Sequence, residues 1–149
     1  MSTLERAIQI AAMAHAGQCD KAQQPYILHP LRVMLRMVGD TERIVAVLHD
    51  VVEDSTVTLD DLRAADFSDE VIKAVEALTK RPGETRLQAA ERAACHPIAC
   101  AVKLADNNAD NMDLSRIASP TDKDHARLAQ YRAVRELLLA AQSNHHSPA

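Results

Sequence analysis

Between residues 49 and 54 the chain reads His49-Asp50-Val51-Val52-Glu53-Asp54, directly after the apolar run Ile44-Val45-Ala46-Val47-Leu48. An imidazole and three carboxylates carried to the edge of a core are costly unless paired, hydrogen-bonded or metal-bound. A hydrophobic helix that delivers them is building a site rather than a surface. Continued as helix, the stretch sets His49 above Glu53 and Asp50 above Asp54, on faces roughly 100° apart. One face can then hold a metal while the other reaches a water or a substrate. Two further groups stand at the polar ends of apolar helical stretches. His29 lies in Pro25-Tyr26-Ile27-Leu28-His29-Pro30, and Asp106 closes Val102-Lys103-Leu104-Ala105-Asp106. Alone, His29 reads as a capping or packing residue and Asp106 as a solvated carboxylate or a partner for Lys103. With His49 and Asp50 they form a mixed N/O donor set suited to a divalent ion such as Mn²⁺, Fe²⁺ or Zn²⁺. Open coordination positions admit water, whose pKa such an ion lowers for attack on phosphorus.

The elements that must position these groups are helical. Ser2-x-x-Glu5 reads as a capping box opening a first helix that ends near Gly17. Residues Gln18 to Tyr26 form a polar loop. His29-Pro30 begins a second helix through Leu31, Met34, Leu35 and Val38, ended by Gly39. Asp40 or Thr41 caps a third, which runs into the His49–Asp54 stretch. A short helix starts at Thr58, a longer one at Ser68, and Arg81-Pro82-Gly83 stops the latter. A helix from about Arg86 to Cys95 follows, then one after His96-Pro97. Ser119-Pro120 opens the last, through Leu128, Tyr131, Val134, Leu137 and Leu138. The sequence predicts a single all-α globule of six to eight helices over residues 1–142, with 143–149 a disordered tail and His145-His146 bystanders.

Composition agrees. Apolar residues make up 47% and Phe67, Tyr26 and Tyr131 are the sole aromatics, so the core is aliphatic and the chain favours helix over sheet. A net charge of −4 without a Lys/Arg run argues against nucleic acid as a partner. No apolar run is long enough for a membrane span, and Met1 to Arg6 lack a signal-peptide pattern. Cys19, Cys95 and Cys100 form no CxxC pair and read as reduced thiols of a cytoplasmic protein. Pro97 breaks the helix between Cys95-His96 and Cys100, against a zinc site there. Oligomeric state is not legible.

Four blocks, in order, carry a resemblance. They are Ala14-His15-Ala16-Gly17-Gln18 with Lys21; Pro25-Tyr26-Ile27-x-His29-Pro30; His49-Asp50-x-x-Glu53-Asp54; and Lys103-Leu104-Ala105-Asp106. Across roughly residues 4 to 140 the chain resembles the HD-domain metal-dependent phosphohydrolases, and more narrowly the hydrolase domain of the alarmone synthetase/hydrolase family and its small stand-alone hydrolases. The resemblance implies a compact HD-domain helical bundle. It implies one metal, typically Mn²⁺, held by His29, His49, Asp50 and Asp106. Glu53 and Asp54 match the family's acidic pair beside the attacking water, with Glu53 to orient or deprotonate it and Asp54 to support it or serve the leaving group. Lys21 matches a lysine of the nucleotide pocket; Tyr26 and Lys103 join it as expected substrate contacts. The implied activity is hydrolysis of the 3′-pyrophosphate of (p)ppGpp-like alarmones, of guanosine or adenosine, releasing pyrophosphate. Without synthetase or regulatory regions, the chain is expected to degrade rather than make its substrate.

Two departures bear on substrate choice. Asp20 precedes Lys21 where the family usually has Arg, replacing a planar cation by an anion. One turn after Asp106, where the family shows Asn, direct counting gives Asp110; Asn111 takes that role only with one extra residue in the segment. Asp106, Asp110 and Asp113 then share a face. These departures keep open an HD phosphohydrolase acting on another nucleotide or dinucleotide phosphate. A catalytically silent nucleotide-binding module is the third reading, against which Glu53 and Asp54 argue.

Overall fold

The computed structural model describes residues 1–109 and 112–146. Within them the chain forms α1 (Leu4–Ala14), α2 (Leu28–Leu35), α3 (Asp40–Leu48), α4 (Val51–Asp54), α5 (Leu59–Ala64), α6 (Asp69–Leu78), α7 (Arg86–Ala94), α8 (Pro97–Asn108) and α9 (Asp122–His146), with a one-turn 3-10 helix at Leu114–Arg116. The described residues hold no strand, only an isolated bridge between Cys19 and Pro25. The all-α expectation holds, and each predicted helix is present. The third is divided: α3 stops at Leu48, and α4 is a separate turn.

Helix α3 is the axis of the main core. Ile44, Val45, Ala46, Val47 and Leu48 are all buried, and α1, α2, α6 and α8 pack around them. A helix apolar on every side at its C-terminal half can only be central. A second, smaller core lies between α7, α8 and α9, where Ala90, Ala94, Cys100, Val134 and Leu138 meet. Small alanines let α7 approach closely, and each buried Leu or Val contributes roughly 1.5–3 kcal/mol relative to exposure.

Caps fix where the helices begin. Thr58 with Asp61, and Thr85 with Gln88, exchange side-chain and backbone bonds as capping boxes. His96 Nδ1 accepts from Ala99 N ahead of Pro97, while Cys95 is exposed and Cys100 Sγ reaches Leu138 O at 3.5 Å.

Four expectations change. The cap of α1 is Thr3, whose hydroxyl accepts from Arg6 N; Ser2 instead bonds Ala65 O and Asp66 O. Leu35 and Val38 stand exposed, because α2 ends at Leu35. Asp113 is off the α8 face, since α8 ends at Asn108 and Asp113 caps the 3-10 turn; Asp110 and Asn111 lie outside the described residues. The last helix runs to His146, so residues 143–146 are helix rather than tail, and His145 Nε2 meets Ala94 O at 2.7 Å.

Candidate metal centre and active site

Helix ends converge at the edge of the main core. His29 comes from the first turn of α2, His49 from the end of α3, Asp50 from the break before α4, and Asp106 from the last turn of α8. The break has a local cause. His49 Nδ1 donates to the carbonyl of Ala46 at 2.5 Å, folding the ring back along its own helix. A carbonyl only accepts, so this bond puts the proton on Nδ1 and leaves the Nε2 lone pair facing the carboxylates. His49 Nε2 lies 3.0 Å from Asp50 Oδ2 and 3.4 Å from Asp106 Oδ1, and His29 Nε2 lies 2.6 Å from Asp106 Oδ1. One donor atom from each of the four falls within 4.8 Å of the others.

This arrangement demands positive charge. Burial works to lower both imidazoles, yet Asp106 raises His29, and Asp50 with Asp106 carries His49 well above its ordinary value. Burial likewise works to raise the two aspartates. His49 and the Tyr26 hydroxyl prevail at Asp50 and hold it down at about 2. Lys103 and His49 hold Asp106 well below the usual range. Protons on the imidazoles can supply the charge, or a cation can. His49 Nε2 is fully buried and faces the carboxylates of Asp50 and Asp106 without a well-aligned hydrogen bond, which together with the His/Asp donor set fits a divalent ion held among His29, His49, Asp50 and Asp106.

A layer behind the donors fixes them. Tyr26 donates its hydroxyl to Asp50 Oδ2, and burial and the Asp50 charge raise that hydroxyl so that it stays a donor. His15 packs on Tyr26 with ring centroids 4.9 Å apart and bonds Gln18 Oε1 through Nδ1 at 2.8 Å. Lys103 Nζ reaches Asp106 Oδ2 at 3.4 Å. Lys103 and Tyr26 therefore each spend a contact on a candidate metal ligand.

The acidic pair sits on α4, a single turn. With the helix broken at 49–50, the predicted stacking of His49 over Glu53 does not exist; the turn from Asp50 to Asp54 survives through Asp54 N to Asp50 O at 2.9 Å. Carboxylate oxygens of Asp50, Glu53 and Asp54 lie within 4.8 Å of one another. Glu53 Oε1 accepts from the backbone amide of Lys80 at 2.9 Å. Burial, then the charges of Asp50 and Glu53, push Asp54 up to about 6.

Two cavities adjoin. One, of about 260 Å³, is lined by residues that include Lys21, Arg116 and Arg127. The other, of about 230 Å³, includes Asp50, Glu53, Asp54, Lys80, Arg86 and Lys103. Tyr26, His29 and Tyr131 line both. Burial, then Arg127 and Arg86, lower the Lys21 ammonium, so three cations converge on one side of the acidic centre.

The HD-domain pattern matches residues 7–144, nearly the whole chain. The chain belongs to the HD-domain family. Among curated relatives, a probable GTP pyrophosphokinase of Mycobacterium leprae is 35% identical over 133 residues, 80% of this chain and 17% of that protein. A guanosine-3′,5′-bis(diphosphate) 3′-pyrophosphohydrolase of Aquifex aeolicus is 38% identical over 81 residues, 52% of this chain and 12% of that protein. The chain thus spans less than a fifth of the length of these relatives. A solved structure, described as a metazoan ortholog of SpoT that hydrolyzes ppGpp, superposes with a TM-score of 0.75 at 24% identity, over 95% of this chain and 86% of that one. That likeness concerns the fold.

In this HD domain the structure brings together His29, His49, Asp50, Asp106, Glu53, Asp54, Tyr26, Lys103 and Lys21; Asp110 and Asn111 fall outside the described residues. Sequence reasoning missed Arg86, Arg127 and Tyr131. Arg86 follows the cap Thr85 and stacks its guanidinium 4.5 Å over the Tyr131 ring. Arg127 and Tyr131 stand one turn apart on α9, an i,i+4 signal masked by reading that helix for its apolar face. Asp20 is explained as well. Its carboxylate accepts from Ala22 N at 2.8 Å, Gln24 N at 3.0 Å and Arg116 Nη2 at 2.7 Å, tying the loop to the 3-10 turn. Burial works to raise it, but those bonds hold it below its ordinary value.

Proposed function

We propose that this HD domain is a Mn²⁺-dependent 3′-pyrophosphohydrolase of guanosine or adenosine alarmones such as ppGpp. The observation that carries this is the carboxylate pair Glu53-Asp54, set within 4.8 Å of Asp50 at the edge of the His/Asp centre, with the Lys21, Arg86 and Arg127 cations alongside. The names of the relatives include guanosine-3′,5′-bis(diphosphate) 3′-pyrophosphohydrolase, which supports the substrate class.

In the reaction, a water oxygen bonds the phosphorus attached to the 3′-oxygen, and the bond from that phosphorus to the 3′-oxygen breaks. Pyrophosphate leaves and the 3′-oxygen takes up a proton. A divalent ion held by His29, His49, Asp50 and Asp106 would supply Lewis-acid charge at the phosphate and lower the pKa of water. Glu53 has one oxygen fixed by the Lys80 amide, which leaves the other to orient the attacking water and accept its proton. Asp54, one residue on, hands a proton to the departing 3′-oxygen. Tyr26 and Lys103 hold Asp50 and Asp106 in place while facing the cavity. Lys21, Arg86 and Arg127 meet the phosphates, and Tyr131 offers a ring beside them. The hydrolase domain in this reading extends past the expected 1–142 to the end of α9 at His146 and acts in the cytoplasm. No helix of the described residues is long and apolar enough to cross a membrane.

One observation favours a second reading. Asp20 puts an anion on the cavity wall and engages Arg116, which suits a different nucleotide or dinucleotide phosphate. A panel of ppGpp, pppGpp, ppApp and NADPH with Mn²⁺ separates the two. Pyrophosphate from the first three is the expected result; orthophosphate from NADPH alone establishes the second reading instead. Binding without turnover of any of them would make the chain a silent nucleotide-binding module.

A further inference from the structure

Helix α4 is too short to hold its own position. A single helical turn is unfavourable in isolation, because several dihedrals are fixed for one hydrogen bond. Glu53 also stands exposed on that turn, with three rotatable bonds and no packing to choose among their rotamers. What fixes its carboxylate is the Lys80 amide at 2.9 Å, and that amide belongs to the chain leaving α6.

The end of α6 is itself built from outside. The last carbonyls of a helix have no partners within it. Here the Arg92 guanidinium, from α7, takes them: Nη1 donates to Glu76 O at 3.1 Å and Ala77 O at 3.3 Å, and Nη2 to Thr79 O at 2.6 Å. Glu84, in the connection between α6 and α7, holds the other edge of the fork, with Oε2 2.9 Å from Nε and Oε1 2.9 Å from Nη2. Glu84 Oε1 also accepts from Arg81 N at 2.6 Å, so the segment carrying Lys80 is gripped on both sides. Thr79 turns to an extended conformation (φ −85, ψ 117), which directs the next amide away from the helix. A cation at a helix C-terminus further complements the carbonyl dipoles.

We propose that Arg92 and Glu84 are positioning residues for hydrolysis, acting through the Lys80 amide on Glu53. Neither residue lines either cavity or is among the candidate metal ligands. The proposal rests on the reading of Glu53 as the group that handles water. Nothing in the four sequence blocks points to Arg92; it is one of three charged residues on α7, and its role appears only when α6 and α7 are seen end to end.

A double-mutant cycle tests it, with ppGpp and Mn²⁺ as substrate and metal. Arg92→Ala is expected to lower kcat by about 10- to 100-fold, the scale of a misplaced reacting group, with KM and bound manganese unchanged. In the Glu53→Gln background the same substitution is expected to change kcat less than about twofold, since residues acting through one another are not additive. Exchange of the Lys80 amide with solvent should be faster in Arg92→Ala, and added methylguanidinium should restore part of the rate. Where Arg92→Ala does not fold, Arg92→Lys and Glu84→Gln carry the same test, with smaller losses in the same direction. Wild-type kcat in both of those variants, or equal fold losses with and without Glu53→Gln, overturns the proposal while leaving the proposed activity standing. Near-normal turnover of Glu53→Gln alone removes the reading of Glu53 and this proposal with it.

Discussion

The His/Asp centre and the cationic wall beside it are built on opposite principles. His29, His49, Asp50 and Asp106 come from helix ends, are buried except for the half-buried Asp50, and are each held by further bonds, as with Ala46 O on His49 and Tyr26 on Asp50. Lys21, Arg86 and Arg127 come from a loop, the start of α7 and the first turns of α9, and reach the two adjoining cavities on long side chains. The buried donors can change little without losing the centre, because an unpaired buried charge is expensive. The cations can be exchanged or repositioned at small cost, because each sits near solvent. On the proposed reading, chemistry is thus fixed in the first region and substrate preference is adjustable in the second.

That contrast breaks first at the metal. His49→Ala or Asp50→Ala is expected to abolish stoichiometric manganese in the purified protein, measured by elemental analysis. Full metal in both variants sinks the ligand assignment. Next comes the acidic pair: Glu53→Gln should keep its metal while turnover falls by about 10²- to 10⁴-fold, the range for a lost acid–base group. A smaller effect is expected on the cationic wall. Lys21→Ala and Arg127→Ala should raise KM roughly tenfold with kcat within about threefold, the pattern of lost ground-state binding. A fall in kcat at constant KM would erase the distinction between the two regions. The smallest effect belongs to Asp20→Ala, which releases Arg116 and the loop amides and should change KM by about two- to threefold, because the half-buried pair tethers the loop and is not among the cations proposed to meet the phosphates. A tenfold change there would make the Asp20–Arg116 tie a main determinant of substrate choice.

The same contrast explains what the sequence could reveal. His49-Asp50 and Glu53-Asp54 are legible because charge that close to Ile44–Leu48 has no bland use, and His29 and Asp106 close similar apolar stretches. The helices were legible from caps and apolar spacing. The break at 49–50 was not, because it depends on a side chain bonding its own helix. Arg86 and Arg127 were hidden among ordinary surface charges, and only the packing of α7 against α9 brings them to the two adjoining cavities. Ser2 illustrates the opposite error: its spacing to Glu5 fits a capping box, yet tertiary bonds to residues 65 and 66 claim it and pass the cap to Thr3.

Hydrolysis of ppGpp in ¹⁸O-labelled water with Mn²⁺, followed by mass spectrometry of the products, reads the bond that breaks. The result expected here is GDP and pyrophosphate, with the label in pyrophosphate and no products once the metal is chelated. Orthophosphate as the product, or label in the nucleotide, would contradict it.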